Sequence, residues 1–219
     1  RRDFKFGHAN VDDLLYWMDE RHAIYERRFI DQYPPPWSTD PIFVAYKFTN
    51  VFRELDKGTI ELRRLVRPAE VVDTTTAKLA IFNIIWYRMF NRFEHAKAIG
   101  FCHTIEELES AVGGCAARGE KMFTSAHMTW GRADEPKWKT TLSTMRMVFE
   151  DLDKLLRRFI ALNESQNVFY TLREMRYPGI GPFLAYEIAS DLRHYPYFNL
   201  TKDVFSWANI GPGCSRGLR

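Results

Sequence analysis

Apolar residues recur at three- and four-residue steps along most of the chain, and this periodicity is the feature that most limits its possible folds. Segments such as VDDLLYWMDERHAIYERRFI and TTTAKLAIFNIIWYRMFNRFEHAKAIG each carry the apolar face of a helix that packs against other elements. The regular alternation and tight hairpin turns of a β-protein are nearly absent. The sequence therefore predicts an all-α, multi-helical fold.

Local capping signals indicate several helix boundaries. Asp40 and Pro41 are residue types preferred at the N-cap and first position of a helix, so PIFVAYKFTNVFRELDKGTIELRRLV predicts a helix that Gly58 could divide. A threonine cap is predicted before AKLAIFNIIWYRMFNRFEHAKAI, and Gly100 is predicted to end that helix. One further long helix is predicted over KTTLSTMRMVFEDLDKLLRRFIALNESQ.

The chain has 219 residues, enough for one large domain or two closely packed helical lobes around a sizeable core. Hydrophobic residues make up 46% and charged residues 27%, which is typical of a folded globular protein. The formal net charge of +3 is mildly basic and compatible with a polyanionic partner. Because the sequence begins without Met and stops in a Gly- and Arg-rich motif, we expect a fragment of a longer chain.

The three cysteines show no metal-ligand spacing, so we predict free thiols in a reducing compartment and no metal site. No run of about eighteen apolar residues occurs, so no membrane-spanning segment is predicted. The oligomeric state is not indicated by any motif.

The stretch MRYPGIGPFLAYEIASDL places a glycine-rich turn between two predicted helices, at about residues 168–192. Gly179 and Gly181 can adopt backbone angles closed to other residues, so consecutive N–H groups around Ile180 can converge on one point. The N-terminus of the following helix also favours anions. The turn is a candidate binding site for a DNA phosphate, although a tight helix connection without a ligand would use the same residues.

This turn resembles the helix–hairpin–helix of the DNA glycosylase superfamily, which reads L-P-G-[VI]-G. The resemblance implies a glycosylase-like helical fold and a catalytic Asp beyond the turn, near the position of Asp203, which Lys202 precedes as a DNA contact. Phe183 stands where bifunctional members carry a nucleophilic Lys, which argues against Schiff-base lyase chemistry. Asp203 has an alternative role as the N-cap of a helix over VFSWANI. No cofactor is predicted with certainty; a monovalent cation at the hairpin turn is the one candidate.

A narrower resemblance is carried by four stretches: RHAIYERR, PPWSTDPIFVAYKFTNVFRELDKGT, WYRMFNRFE and WANIGPGCSRGL. They resemble a family, found in phages and some eukaryotes, that is predicted to hypermodify DNA bases. Its members are described as the helical domain of 5-hydroxymethyluracil DNA kinases and as α-glutamyl/putrescinyl-thymine pyrophosphorylases, which are amino acid:DNA transferases. The resemblance runs from about Asp12 to the chain end, and DPIFVAYKFTNVFRELD is its most specific block.

The resemblance implies that the partner is DNA with one nucleotide flipped out, in a phage-infected bacterium or a eukaryotic nucleus. In the transferase branch, an amine or amino acid replaces pyrophosphate on the 5-hydroxymethyl group. In the kinase branch, a nucleotide supplies the phosphate, typically through a P-loop, but the nearest run here, GCAARGEK, has Glu120 where that motif needs Lys. We expect a transferase first, with a monofunctional glycosylase or a non-catalytic DNA-binding domain of a kinase as alternatives.

Displacement of pyrophosphate needs cations near the leaving group and a base near the incoming amine. The stretch YKFTNVFRELD places Tyr46, Asn50 and Arg53 on one face of the predicted helix, with Lys47 beside them. We predict catalytic roles for Asn50 and Arg53 and DNA contacts for Tyr46 and Lys47. A solvated helix face would present the same charges.

Basic and aromatic residues alternate in WYRMFNR, where Arg88, Asn91 and Arg92 are predicted to bind a DNA strand. A half-buried helix whose arginines reach towards solvent has the same pattern.

Two further segments offer candidates. His127, in TSAHMTW, is a candidate general base or phosphate donor. NIGPGCSRGLR contains a second Gly-Pro-Gly turn, where Gly211, Gly213 and Arg216 are predicted to contact phosphate.

Overall fold

The computed structural model describes residues 11–124 and 134–217, and within these ranges every regular element is helical. The α-helices of these ranges are α1 (Val11–Tyr25), α2 (Pro41–Ala45), α3 (Lys57–Leu65), α4 (Thr74–Phe90), α5 (Phe93–Ile99), α6 (Ile105–Ala117), α7 (Lys137–Glu150), α8 (Leu152–Ile160), α9 (Ser165–Met175), α10 (Pro182–Leu192) and α11 (Pro212–Gly217). A π-helical segment, Glu26–Ile30, continues α1, and 3-10 turns lie at Arg53–Leu55, Pro68–Glu70 and Pro196–Phe198. The predicted all-α class is confirmed.

The chain divides into two compact units. The smaller unit comprises Arg1–Thr59 and Ile210–Arg219, and the larger comprises Ile60–Asn209. Within the described ranges, no helix combines the length and the apolarity that crossing a membrane requires.

Helix α4 is the centre of the larger unit. Phe82, Trp86 and Phe90 are fully buried, and so are Ile84 and Tyr87 on other sides of the same helix. A helix that is apolar all round must be surrounded by other elements, and α7, α8 and α10 pack against α4. Helix α9 packs against both α8 and α10, which connects it to this core.

Helix α4 begins and ends earlier than predicted, because a polar residue caps it at each end. Asp73, not a threonine, is the N-cap: its carboxylate accepts the N–H of Thr76 at 2.8 Å, and the Thr76 hydroxyl accepts the Asp73 N–H at 3.0 Å. Asn91 ends α4 with a left-handed φ of 51°, so the predicted single helix is two, and Gly100 ends the second as predicted. The long helix predicted after Lys139 is also two, divided at Asp151.

The predicted start of α2 is confirmed. Asp40 caps the helix, with its side chain accepting the N–H of Ile42 at 2.8 Å, and Pro41 is the first helical residue. The helix nevertheless ends at Ala45, so the predicted continuation to residue 66 is wrong.

The chain leaves the helix at Tyr46, whose φ of −120° and ψ of 154° are extended. The aromatic and β-branched residues that follow lower the helix propensity of the segment. The side-chain amide of Asn50 donates to the carbonyl of Leu55 and the carboxylate of Asp56, both at 3.0 Å. Such side-chain bonds compete with the backbone bonds of a helix, which explains why the periodicity failed here.

The smaller unit is held together largely by polar and aromatic contacts, and α1 has no fully buried residue. The Tyr16 hydroxyl lies 3.0 Å from the Asp40 carboxylate, and the Arg27 guanidinium donates to the Trp37 carbonyl at 2.6 Å. These contacts fix the irregular segment between residues 31 and 40 against α1 and its π-helical continuation.

Candidate nucleic-acid contact sites

A pocket of about 410 Å³ lies within the smaller unit, lined by α1, its π-helical continuation, α2 and the segments on either side of α2. Its cations are Arg21, Arg28 and Lys47. Its aromatic walls are Trp37, Phe43, Tyr46 and Phe48. No described residue in the lining carries a carboxylate. We call this the basic–aromatic pocket.

Arg21 is half-buried in this pocket and fixed by neighbouring residues. Its Nη2 lies 2.5 Å from the side-chain oxygen of Asn50, and its Nε donates to the carbonyl of Phe48 at 3.3 Å. Burial lowers the pKa of the Arg21 guanidinium; Asp56 opposes this effect, and the positive charge of Arg28 adds to it. Arg21 and Arg28 line the same pocket, so an anion bound there would offset the repulsion between their positive charges.

Arg28 is positioned by aromatic rings. Its guanidinium carbon lies 4.8 Å from the ring centroid of Phe29 and 4.8 Å from that of Trp37. Within the described part of the chain, neither Arg28 nor Lys47 forms an ion pair. Cations without counter-ions around a concave surface attract phosphate, and the exposed ring of Tyr46 suits a nucleobase.

Of the four predicted site residues of this region, two line the pocket and two do not. Tyr46 and Lys47 line the pocket, although on extended backbone and not on a helix. Asn50 holds Arg21 from outside the lining, and Arg53 lies in a 3-10 turn. The predicted common helical face of Tyr46, Asn50 and Arg53 therefore does not exist, and the catalytic roles of Asn50 and Arg53 stay predictions.

Arg21, Arg28 and Trp37 are among the pocket residues that were not predicted as site residues. A sequence signal existed for the arginines, because residues seven apart lie on the same face of a helix. Trp37 could not have been found in this way, since the irregular segment that contains it has no periodicity.

In the larger unit, α9 and α10 are joined by the turn at residues 176–181. Gly179 has a left-handed φ of 81°. Ile180 is buried, and its N–H donates to the carbonyl of Tyr177 at 3.0 Å. The carbonyl of Pro178 accepts the Thr144 hydroxyl at 3.0 Å, which fixes the turn against α7.

The two glycines of the turn are not equivalent. Gly181 has φ −79° and ψ −177°, angles open to any residue, so only Gly179 uses the backbone freedom that the sequence offers at both glycines. Among the described residues, no acceptor is bonded to the N–H of Gly181 or Phe183 at the start of α10. These donors remain available to an anion, and phosphate binding at the turn stays a prediction.

The turn does not fit the predicted monovalent cation. The carbonyls of Tyr177 and Pro178 already accept protein donors, and the guanidinium of Arg173 donates to the carbonyl of Ile180 at 3.3 Å. A cation at these oxygens would be repelled by Arg173. In the ranges that the structure describes, no group of three or more His, Cys, Asp and Glu side chains is arranged to hold a metal ion.

Asp203 is 5% exposed and caps a helix that precedes it in the chain. Its two carboxylate oxygens accept the N–H groups of Ser165 at 2.9 Å and Gln166 at 2.7 Å, at the start of α9. The predicted alternative, a cap of a helix over VFSWANI, is wrong because residues 202–206 form a turn. The catalytic role of Asp203 stays a prediction, and these bonds leave the carboxylate little freedom to act on a substrate.

The candidate strand-binding residues of WYRMFNR lie in or beside the core. Arg88 is buried and ion-paired with Asp191, so it offers no surface to a DNA strand in this conformation. Asn91 is the left-handed residue that ends α4, and the guanidinium of Arg92 donates to the carbonyl of Lys121. The buried-helix alternative describes this segment better.

The remaining candidates that the structure describes do not line the basic–aromatic pocket. Lys202 is exposed, and its ammonium lies 3.0 Å from Glu164. Gly211 precedes α11 and Gly213 lies inside it, so the predicted second Gly-Pro-Gly turn is the start of a short helix that also carries the exposed Arg216. His127 lies outside the described residues.

Comparison with known proteins supports the narrower sequence resemblance. A family model described as "5-hmdU DNA kinase, helical domain" matches residues 8–219. A curated relative, a 5-hmdU DNA kinase of Bacillus phage SP10, is 31% identical over an alignment 239 residues long, which covers 100% of this chain and 37% of the relative. The chain thus spans little more than a third of that relative's length. No solved structure matches the chain significantly. On this evidence, the chain belongs to the family of 5-hmdU DNA kinase helical domains.

Proposed function

We propose that the chain is a DNA-binding helical domain that serves the modification of 5-hydroxymethyluracil in DNA, and that its basic–aromatic pocket receives a nucleotide of that DNA. The relative from phage SP10 is named a kinase of 5-hmdU DNA, which supports DNA as the partner. The observation that carries the proposal is the pocket itself, with its three cations, its aromatic walls and the lack of a carboxylate among its described lining residues.

The pocket has the size and chemistry that a nucleotide needs. Its volume of about 410 Å³ falls in the range of roughly 300–1,000 Å³ that is usual for small-molecule sites. Arg28 can donate paired hydrogen bonds to phosphate oxygens, Arg21 can donate from the guanidinium nitrogen that Asn50 and Phe48 do not hold, and Lys47 adds a third positive charge. Tyr46, which is 68% exposed, offers a ring face on which a base can stack without regard to its identity, beside the half-buried rings of Trp37 and Phe48.

A second candidate function is the replacement of pyrophosphate by an amine or amino acid on 5-(pyrophosphoryloxymethyl)uracil. The same three cations favour it, because a departing pyrophosphate needs positive charge around it. The described lining supplies no carboxylate to deprotonate the amine, so this candidate rests on the cations alone. Excision of the base by a glycosylase receives no support from the site geometry, since Asp203 is buried and bonded to two backbone N–H groups.

The pocket is tested by DNA binding of variants in which a cation is neutralised. Arg28→Gln and Lys47→Gln are each expected to weaken binding of a duplex containing 5-hydroxymethyluracil by roughly five- to tenfold and to reduce the salt slope by about 1. Arg67→Gln is the matched control, because Arg67 is 69% exposed, lies in the larger unit and pairs with Glu70. Fluorescence anisotropy over a salt series measures both quantities.

The outcomes separate the candidates. Equal affinity of the Arg28→Gln and Arg67→Gln proteins would contradict the role of the pocket. Incubation with pyrophosphorylated DNA and a mixture of amines, followed by mass spectrometry of the nucleosides, tests the transferase: an amine adduct supports it, and unchanged DNA supports a binding domain. An abasic site in the same assay would instead support a glycosylase activity.

A further inference from the structure

The Arg21 guanidinium is held on two of its three nitrogens. Its Nε donates to the carbonyl of Phe48 at 3.3 Å, and its Nη2 lies 2.5 Å from the side-chain oxygen of Asn50. Among the described residues, no acceptor is bonded to Nη1. The segment after α2 therefore fixes the plane of the guanidinium and leaves one nitrogen for a ligand in the basic–aromatic pocket.

Asn50 is itself held, and this fixes which way its side-chain amide faces. The amide nitrogen donates to the carbonyl of Leu55 and to the carboxylate of Asp56, both at 3.0 Å. The opposite orientation would turn the amide nitrogen towards the guanidinium and the amide oxygen towards two acceptors, and both arrangements would be repulsive. The oxygen therefore faces Arg21, where it accepts a hydrogen bond.

These contacts form a chain of three half-buried polar groups, from Asp56 through Asn50 to Arg21. The neutral amide lies between the two charged ends. Burial lowers the pKa of the Arg21 guanidinium, and the Asp56 carboxylate opposes this effect without forming an ion pair with the guanidinium. Asp56 thus stabilises the arrangement while its negative charge stays bonded to Asn50 and not to the cation of the pocket.

The residue type at position 50 decides how much positive charge Arg21 presents to a ligand. An Asp at this position would pair with the guanidinium directly, and the pocket would then lose one of its three cations to a counter-ion. A Leu would leave Arg21 and Asp56 without their common partner. An amide supplies an acceptor on one side and a donor on the other, so it fixes Arg21 and preserves its charge.

We propose that Asn50 is a positioning residue of the basic–aromatic pocket, which orients Arg21 and keeps its charge available for a DNA phosphate. This inference rests on the proposed DNA binding and assigns a role to a residue outside the pocket lining. The role differs from the predicted catalytic one, because the amide acts through Arg21 and does not touch the substrate. Both acceptors of its nitrogen are protein oxygens.

The test exchanges the two side chains at the far end of this chain. The Asn50→Asp/Asp56→Asn protein keeps the net charge and a donor–acceptor pair between the two positions, but it moves the carboxylate into direct contact with Arg21. Binding of the duplex containing 5-hydroxymethyluracil should weaken about five- to tenfold, and the salt slope should fall by about 1, as for the loss of one cation. Fluorescence anisotropy over a salt series measures both, and thermal melts followed by circular dichroism verify the fold.

Two further variants separate the effect of charge on Arg21 from a general loss of structure. Asp56→Asn alone carries the same substitution at position 56 but leaves Asn50 in place, so removal of the carboxylate should strengthen binding about twofold. When Arg21 is already replaced in an Arg21→Gln protein, the exchange should have no further effect, because the cation through which Asn50 acts is gone. A purely structural network would instead weaken binding in both backgrounds.

Wild-type affinity and salt slope in the exchanged protein would overturn the role of Asn50. So would an equal loss in the Asp56→Asn protein, or an undiminished effect of the exchange in the Arg21→Gln background. If the exchanged protein does not fold, Asn50→Ala combined with Asp56→Asn removes the hold on Arg21 without adding a carboxylate. Its binding should weaken about threefold at an unchanged salt slope, and wild-type affinity there would equally overturn the inference.

The Arg28→Gln protein distinguishes failure of this role from failure of the proposed function. Weakened binding in Arg28→Gln together with an unaffected exchanged protein would keep the pocket as the DNA site and refute only the role of Asn50. A wild type that does not bind the duplex would refute the proposed function, and the role of Asn50 with it.

Discussion

Arg88 and Asp191 form a two-pronged ion pair in the core of the larger unit, joining α4 to α10. Arg88 Nη2 lies 2.7 Å from one carboxylate oxygen of Asp191, and Arg88 Nε is bonded to the other. Asp191 is fully buried, Arg88 is 6% exposed, and Glu187 lies 3.5 Å from the same guanidinium. A charged pair in such a place must be complete, because an unpartnered buried charge is strongly unfavourable.

Asp191→Asn should therefore lower the free energy of unfolding by about 3–5 kcal/mol, since it leaves the Arg88 charge without its main partner. Urea unfolding followed by circular dichroism measures the change. Glu70→Gln, which breaks the exposed pair with Arg67, is the control and should cost less than about 1 kcal/mol. Similar losses in the two variants would show that the buried pair is dispensable.

The hairpin between α9 and α10 offers a matched pair of glycines. Gly179→Ala should destabilise the protein by about 1–2 kcal/mol, because the residue has φ +81° and an added Cβ would lie 3.3 Å from Met89 Cε. Gly181→Ala should be neutral or slightly stabilising, since an added Cβ there meets no atom within 4 Å. Thermal melts of both variants decide the point; equal melting temperatures would argue against the strained angle at Gly179.

How far the sequence predicts this fold depends on the distance over which each signal acts. Capping at Asp40 and termination at Gly100 were predictable because both involve residues within a few positions in the chain. Arg88 looked like a strand-binding residue because its partner, Asp191, lies 103 positions away. No local pattern reveals such a partner.

The candidate sites were predictable to a smaller extent. Tyr46 and Lys47 were selected for their residue types and do line the basic–aromatic pocket, although the helix that suggested them ends at Ala45. Arg28 and Trp37 meet only through the irregular segment between α1 and α2, whose path depends on contacts within the unit. Helical periodicity predicts which residues share a face of a helix, but it does not predict pockets that loops form.

Variants of Asp203 can separate a structural role of its carboxylate from a catalytic one. Asp203→Ala should lower the free energy of unfolding by about 1–2 kcal/mol, since two N–H groups of α9 lose their acceptor. Asp203→Asn retains one acceptor oxygen and should cost less. Paired measurements of unfolding and of turnover on modified DNA separate the two roles: a loss of turnover in Asp203→Asn at nearly unchanged stability would support the predicted catalytic acid.

The thiols should differ sharply in reactivity. Cys214 is exposed, whereas Cys102 and Cys115 are buried, and burial raises the pKa of the Cys102 thiol to about 12 and also raises that of Cys115. Only Cys214 should react with a disulfide reagent in the native protein at neutral pH, and all three should react in denaturant. Cys214→Ser should abolish the fast reaction; a second fast thiol would contradict the burial of the other two.

Because Asp203 caps α9 from a position later in the chain, it also limits where the chain can be truncated and when α9 is completed during translation. Ser165 and Asp203 are 38 positions apart, so both helices of the hairpin leave the ribosome before the carboxylate that closes the first turn of α9. A truncation just after α10 would keep both helices in sequence yet leave those N–H groups open. The smallest piece of the larger unit with a complete hairpin must extend past Asp203.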